Sequence, residues 1–490
     1  MNRLIDKNTV IKDYVKLKKL AFKCAKKHDY NATALYLMQA SSLMYNSNLF
    51  YVDEELENLL DSVSERVITK KIRKQQTKKR IVFYDYFVLD NRGLTEQYLE
   101  ALFTFDYELL FVGCRNDEKS KEIYAKLQNH NVTYKIVTER NEIKKAQIIY
   151  QIISDFSPQI IVAHTSPWDI SAIMAINQFS DNCKRFLINI TDHAFWLGAK
   201  VFDYFLEFRD YGYNISKTYR KIAENKLLKL PYYPNINKNI TFEGFDFETR
   251  GKKLVFSGGS IYKIQGSTVF FDIVKHIISN FPDTIFLFLG NGDLEYIRDF
   301  IRENDFQGRV FCGTERKDIF EVFKHCDLYL NTYPLIGGLM TQYACVAGKL
   351  PLTLNDQNDP CNGISELMFN DCGLEIEFDN LDLLKSRINY YLNNPDVLAI
   401  DGEKIKTSII SPEEFNRILY GYFESEYPTT KIAFNSYSID IGEFAKQYIA
   451  RLNRNKCSEY FKIFLSKKLT SLPYFAKYYM QYAISKIMKN

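Results

Sequence analysis

The absences in this chain are informative. Its nine cysteines are odd in number and scattered, with no CxxC pair. That spacing gives neither a structural zinc site nor a disulfide framework, so a reduced, cytoplasmic setting is expected. No apolar run approaches the ~18 residues of a membrane span. Met1 to Asp13 is charged and has no apolar h-region, so no signal peptide is expected. The formal net charge is only +4, with a pI near 8.3. This is too mild a field to identify a nucleic-acid binder, and nucleic acid is not an expected partner. A GxGxxG fingerprint is missing, which argues against a dinucleotide oxidoreductase. No DxD-type cluster stands at a strand end, so neither a metal nor a resident cofactor is expected.

The residues that are present describe an α/β protein. With 490 residues, 46% hydrophobic and 25% charged, the chain is long enough for two or more domains. Residues 1–76 read as a helical N-terminal domain, with Val15, Leu20, Ala21, Ala25, Ala34 and Leu37 at helical spacing. The run from Lys70 to Arg80 holds seven basic residues and no acid, and reads as a solvated linker. Residues 77–235 alternate strands (Ile81–Tyr84, Leu109–Val112, Thr133–Val137, Ile160–Ala163, Phe186–Ile190) with helical segments, the signature of a parallel sheet. Pro231, Pro234 and several Asn residues mark a connection, and a second α/β domain spans 245–424.

The most telling stretch is Arg309–Thr353. An apolar strand at Leu328–Leu330 leads through Asn331-Thr332-Tyr333-Pro334 to Gly337-Gly338, which opens a helix carrying Thr341. Such a helix presents unpaired N–H groups and the positive end of its dipole, while the glycines admit an anion close to the backbone. An ordinary βα turn would use the same glycine pair, so the neighbouring residues decide. Asp327-Leu328, Leu330, Thr332, Pro334, Gly337-Gly338, Thr341, Gly348, Pro351 and Thr353 together resemble the nucleotide-sugar half of GT-B glycosyltransferases. The likeness is nearest to the branch holding O-GlcNAc transferase and the bacterial adhesin N-glucosyltransferases. Further matches are Ser257-Gly258-Gly259 with Lys263 and Gly266, the strand exit Gly290-Asn291-Gly292, and Gly313.

The resemblance implies two Rossmann-like domains with parallel sheets facing a cleft, plus helical N- and C-terminal regions. It implies a metal-independent transfer from a nucleotide diphosphate sugar, UDP-linked, to a protein or glycan acceptor. Lys263 would neutralise the donor diphosphate. Gly258, Gly259, Gly290, Asn291, Gly313, Pro334, Gly337, Gly338 and Thr341 would surround the donor. A helix is expected from Ile364, and Glu366 in its first turn would lie beside the donor sugar, with a plain helix-terminal role as its alternative. Two positions depart from the family pattern. Tyr343 stands where an Asp commonly contacts the ribose, and Asn331 replaces another common Asp.

On the first α/β domain, ligands are expected beyond the carboxyl ends of the strands. Arg92, Gly93, His164 and the triplet Thr191-Asp192-His193 fall there. The segment Asp192–Gly198 (DHAFWLG) resembles an acceptor-side stretch of the adhesin glucosyltransferase branch. His193 suits proton transfer near neutral pH, with Asp192 as its carboxylate. The alternatives are a histidine satisfied by backbone and an Asp192 that only caps a helix.

Residues 425–490 form a basic aromatic region. Between Lys446 and Asn490 stand ten Lys or Arg against one acid, Glu459. Two readings stay open: terminal helices packed back on the body, or peripheral docking on the anionic inner face of a membrane. Two rival functions also stay open. One is a non-catalytic GT-B-like partner or glycan-binding protein; the other is a UDP-sugar epimerase.

Overall fold

The structure, a computed structural model, describes residues 5–71, 78–89, 94–180, 183–237 and 239–454, with residues 460, 463 and 464. Arg92, Gly93, most of the basic run after Lys70 and the end of the basic aromatic region lie outside the described residues.

The first compact unit comprises residues 1–230 and 416–490. Its helices α1 (Lys7–Lys26), α2 (Tyr30–Ser47) and α3 (Glu54–Val67) start at Asp6, Asp29 and Asp53, whose carboxylates accept from the first-turn N–H groups. The unit's sheet holds β1 (Arg80–Asp85), β2 (Glu108–Gly113), β3 (Thr133–Ile136), β4 (Ile160–His164), β5 (Lys184–Ile188), β6 (Tyr204–Glu207) and β7 (Leu227–Lys229). The strand order is β3-β2-β1-β4-β5-β6-β7, and every pairing is parallel. β1, β2, β4 and β5 are buried at all but at most their first residue, as expected for parallel strands covered on both faces.

The N-terminal helices do not stand apart. Leu17, Leu37, Met44 and Leu60 share one hydrophobic core with Val82, Ile161 and Phe205 of the sheet. β5 also stops at Ile188, two residues before the sequence pattern suggests, because residues 190–194 turn sharply.

The second unit is residues 231–415. Its strands are β8 (Lys253–Gly258), β9 (Thr284–Leu289), β10 (Val310–Gly313), β11 (Leu328–Leu330), β12 (Pro351–Leu354) and β13 (Glu377–Phe378). They run in the order β10-β9-β8-β11-β12-β13, again all parallel. In both sheets the order reverses beside the first strand, at β1/β4 and β8/β11, which is where doubly wound sheets bind ligands.

The chain returns to the first unit at residue 416, earlier than the expected boundary at 424. The cause is aromatic packing: Phe423 meets Phe186 at 5.1 Å and Phe105 at 6.0 Å. In addition, Tyr422 Oη donates to Lys229 O at 2.7 Å, and Lys184 Nζ donates to Phe423 O at 3.0 Å.

Candidate functional site

On the second unit, three strand exits and one helix start form a cradle. β8 ends in Gly258 and Gly259. A Cβ on Gly258 would stand 2.9 Å from both Leu289 O and Met340 Cε, and a Cβ on Gly290 would collide with the Gly259 carbonyl. The exits therefore touch backbone to backbone: Gly259 N donates to Leu289 O, Gly290 N to Gly313 O, and Ile261 N to Asn291 O. Gly259 has φ +137°, a conformation that side-chain-bearing residues rarely adopt. Gly258, Gly259, Gly290, Asn291 and Gly313 are thus brought together. The Asn291 side chain donates to Glu315 at 3.0 Å.

Lys263 closes a single helical turn, Ile261–Lys263, just beyond β8. Its Nζ donates to Ile336 O at 2.7 Å. Among the described residues no carboxylate pairs with it, and burial pushes its pKa down to about 8. Ile336 immediately precedes Gly337-Gly338 and the helix Gly338–Val346, which no side chain caps. Its first-turn N–H groups therefore lie open beside the lysine loop. A half-buried ammonium without a counter-charge next to a helix N-terminus is a site that gains on meeting an anion.

The loop before that helix is held by amides. Asn331 accepts from Thr332 N and Gly337 N, and its Nδ2 donates to Thr341 Oγ1 at 2.8 Å and Thr353 Oγ1 at 3.2 Å. A carboxylate in its place could not donate to either threonine, which accounts for Asn where the family pattern has Asp. Thr341 is fully buried, and its hydroxyl donates to Gly337 O at 3.1 Å. It therefore braces the turn from inside and does not face the cradle. Pro334 follows a cis peptide bond, and its carbonyl accepts from Asn362 Nδ2 at 2.9 Å. Tyr343 donates to Asn235 O at 2.7 Å and stacks on Phe323, so it has taken up a packing role.

Glu366 lies in a single turn, Ser365–Leu367, and not in the helix expected from Ile364. Leu367 of that turn comes within 3.4 Å of where a Gly338 Cβ would be. Glu377 fixes the same loop by accepting from Asn355 Nδ2 at 2.7 Å and Ile364 N at 2.9 Å. Neither Asn362 nor Glu377 carries a motif that marks it in the sequence. Only the loop's richness in Asn and Asp hinted that side chains would bind backbone there.

On the first unit, two Asp–His pairs occupy strand exits. His164 Nδ1 is 3.2 Å from Asp85 Oδ1 across the paired ends of β4 and β1. Asp85 also accepts from Phe87 N and Thr95 Oγ1. Burial raises its carboxyl pKa, but His164 and these donors outweigh burial and the net shift is downward. Both side chains are enclosed, and the ring nitrogens of His164 lie buried with Asp85 as a close neighbour but with no well-formed hydrogen bond.

His193 differs in keeping 31% of its side chain exposed. Its Nδ1 lies 3.3 Å from Asp192 Oδ1. Asp192 is fully buried and clamped by Arg209, through Nε at 2.6 Å and Nη2 at 3.0 Å. Burial pushes the Asp192 carboxyl up, yet Arg209 and His193 together hold it at about 2. Asp192 therefore touches the imidazole from a buried, ion-paired position, and the residues after it form a turn, so it caps no helix. An Nδ1–H directed at a carboxylate leaves the other ring nitrogen with a lone pair, the arrangement of a general base.

The turn itself is held by Arg220, whose Nη2 donates to the carbonyls of Asp192 at 2.9 Å and Ala194 at 2.6 Å, and by Asn48, which donates to His193 O at 2.7 Å. Arg209, Arg220 and Asn48 carry no local signal, because only the fold brings them to residues 191–194. Tyr45 and Tyr448 flank the imidazole, each with ring centroids at 6.5 Å.

Among the described residues, no group of three or more His, Cys, Asp or Glu is placed to hold a metal ion. Nor is any helix among them long and apolar enough to cross a membrane.

Comparison with solved structures identifies the fold. An O-GlcNAc transferase variant from Thermobaculum terrenum aligns over 91% of this chain and 82% of its own, with a TM-score of 0.53 and 13% identity. TarM aligns over 71% of this chain and 99% of its own, with a TM-score of 0.55 and 10% identity. Anabaena HepE, solved in complex with UDP, aligns over 70% and 98%, with a TM-score of 0.53 and 10% identity. No protein-family model and no curated protein matches the chain in sequence. The chain has the GT-B glycosyltransferase fold. At these identities the likeness establishes the fold and leaves donor and acceptor to the site's own chemistry.

Proposed function

We propose that this chain is a glycosyltransferase that moves a sugar from a UDP-linked donor to a protein or glycan acceptor without a metal. Lys263 carries the reading: its ammonium sits half-buried and without a carboxylate partner among the described residues, beside an uncapped helix start. In the reaction the acceptor attacks the anomeric carbon, and the bond from that carbon to the diphosphate oxygen breaks. The electron pair leaves with the nucleotide diphosphate, where Lys263 and the N–H groups of the Gly338–Val346 helix stabilise the growing charge. His193, oriented by Asp192 and Arg209, takes the acceptor's proton. The positive charge that a divalent metal supplies in other transferases is here supplied by the lysine and the helix dipole.

One observation favours the non-catalytic reading. Tyr343 is committed to Asn235 O, so the carboxylate common at that position for the ribose is not there. Calorimetry with UDP, GDP, CDP and dTDP separates the readings. We expect UDP alone to bind, and Lys263→Ala to weaken it about 10- to 100-fold, as for loss of a buried charge-assisted contact. Failure of the folded protein to bind any of the four would sink the transferase reading. Binding with neither transfer nor donor hydrolysis would favour the non-catalytic partner. An epimerised nucleotide sugar formed without acceptor would favour the epimerase.

A further inference from the structure

α1 has a charge pattern that the donor cradle and the His193 turn leave unused. Its sequence holds seven lysines and one acid, Asp13. Its inner face buries Val10, Tyr14, Leu17, Leu20 and Ala21. On the outer side Ile11 is 38% and Val15 40% exposed, and Phe22 is half-buried. Val15 and Phe22, with Lys19, Lys23, Lys26 and Lys27, line a cavity of about 710 Å³ beside α3. Lys18, also at its edge, is already neutralised by Asp53 and Glu55. The other four lysines are exposed and form no ion pair among the described residues. The helix dipole accounts for Lys23 and Lys26 in the last turn, but not for a basic depression with an apolar lining.

We propose that this groove docks an acidic segment of a protein partner. The partner's carboxylates would meet Lys19, Lys23, Lys26 and Lys27, and one of its large apolar side chains would enter against Val15 and Phe22. Charge complementarity selects an anionic ligand. The volume, about 710 Å³ in an open depression, is large enough to seat a bulky side chain. A bilayer presents a flat surface and does not fill a concave site. Nucleic acid follows a continuous basic track, whereas these lysines gather at one depression. The inference stands independently of the donor reading, because it uses none of the same residues.

Panning a random-peptide phage library on the full chain tests it, with labelled peptides then measured by fluorescence anisotropy. Acidic sequences with at least one large apolar residue should be enriched, and their affinity should fall with salt. The double variant Lys19→Glu/Lys23→Glu should weaken them on the order of tenfold or more. Val15→Ser should weaken them to a smaller extent. These three side chains are exposed, so circular dichroism should be unchanged. Absence of acidic enrichment, or equal binding by the charge-reversed variant, would overturn the proposal. Tighter lysine-dependent binding of anionic phospholipid vesicles or of single-stranded RNA would overturn it too, in favour of those ligands.

Discussion

The two units build their candidate sites by opposite means. On the second unit the cradle is mostly backbone: glycines at three strand exits, one uncapped helix start and a lysine five residues past the end of β8. On the first unit the His193 turn is held by charged and polar side chains from far along the chain. Arg209 lies 17 residues away, Arg220 lies 28 from Asp192, and Asn48 lies 145 from His193. A backbone cradle fails when atoms are added, and a buried ionic brace fails when a charge is removed. That contrast predicts where each unit is fragile.

The largest effect should come from Arg209→Ala. It leaves Asp192 buried without its bidentate partner, a change that typically costs about 3–5 kcal/mol. Urea unfolding would read this as a loss confined to the first unit. Adding Asp192→Ala to Arg209→Ala should recover part of it, because the orphaned charge is then gone. The pH dependence has a definite sign. The folded Asp192 pKa of about 2 lies below the ordinary carboxyl value of 3.8. Its contribution is therefore full at neutral pH and is lost as pH falls from about 4 through 2. Equal unfolding midpoints for Arg209→Ala and wild type would remove the brace from the account.

A smaller effect is expected from the opposite kind of change, Gly290→Ala. The added Cβ would collide with the Gly259 carbonyl, a backbone atom that moves only with its strand. Overpacking of this kind costs about 1–3 kcal/mol. Because Gly259 leads directly to the turn of Lys263, UDP affinity should fall alongside stability. An unchanged midpoint with unchanged UDP affinity would show that the strand exits are looser than this packing requires.

The same contrast explains what the sequence makes legible. Two α/β units, their strands, the glycine pairs and Lys263 are all local patterns, and local patterns survive as residue spacing. Asp192 is ambiguous in the sequence because an N-cap and a buried ion pair look alike until Arg209 is placed beside it. Thr341 reads outward from its first-turn position, yet packing turns it inward onto Asn331 and Gly337. His164 shares its strand-end position with His193 but is enclosed, and exposure is not written in a tripeptide. The helix expected at Ile364 is a single turn, in a loop whose Ile364 N–H is bound by Glu377 thirteen residues on.

The finest test separates the units by pH. Near neutrality Asp192 stays ionised at about 2, so the brace of the first unit does not titrate. Lys263, pushed by burial down to about 8, does. A bound diphosphate favours its charged form, so UDP binding near pH 8 should take up a fraction of a proton. Affinity should then decline as pH rises through 8, approaching about tenfold per unit. Stability without ligand should move the other way. Between about 8 and the ordinary lysine value of 10.5, the unfolded lysine holds a proton that the folded one has lost, so stability rises with pH in that window. Lys263→Ala should flatten both trends and abolish the proton uptake, which calorimetry in buffers of different ionisation enthalpy reads directly. A UDP affinity that stays level from neutral pH to well above 8 would mean that the cradle binds its anion through backbone N–H groups alone. The lysine would then be a packing residue like Tyr343.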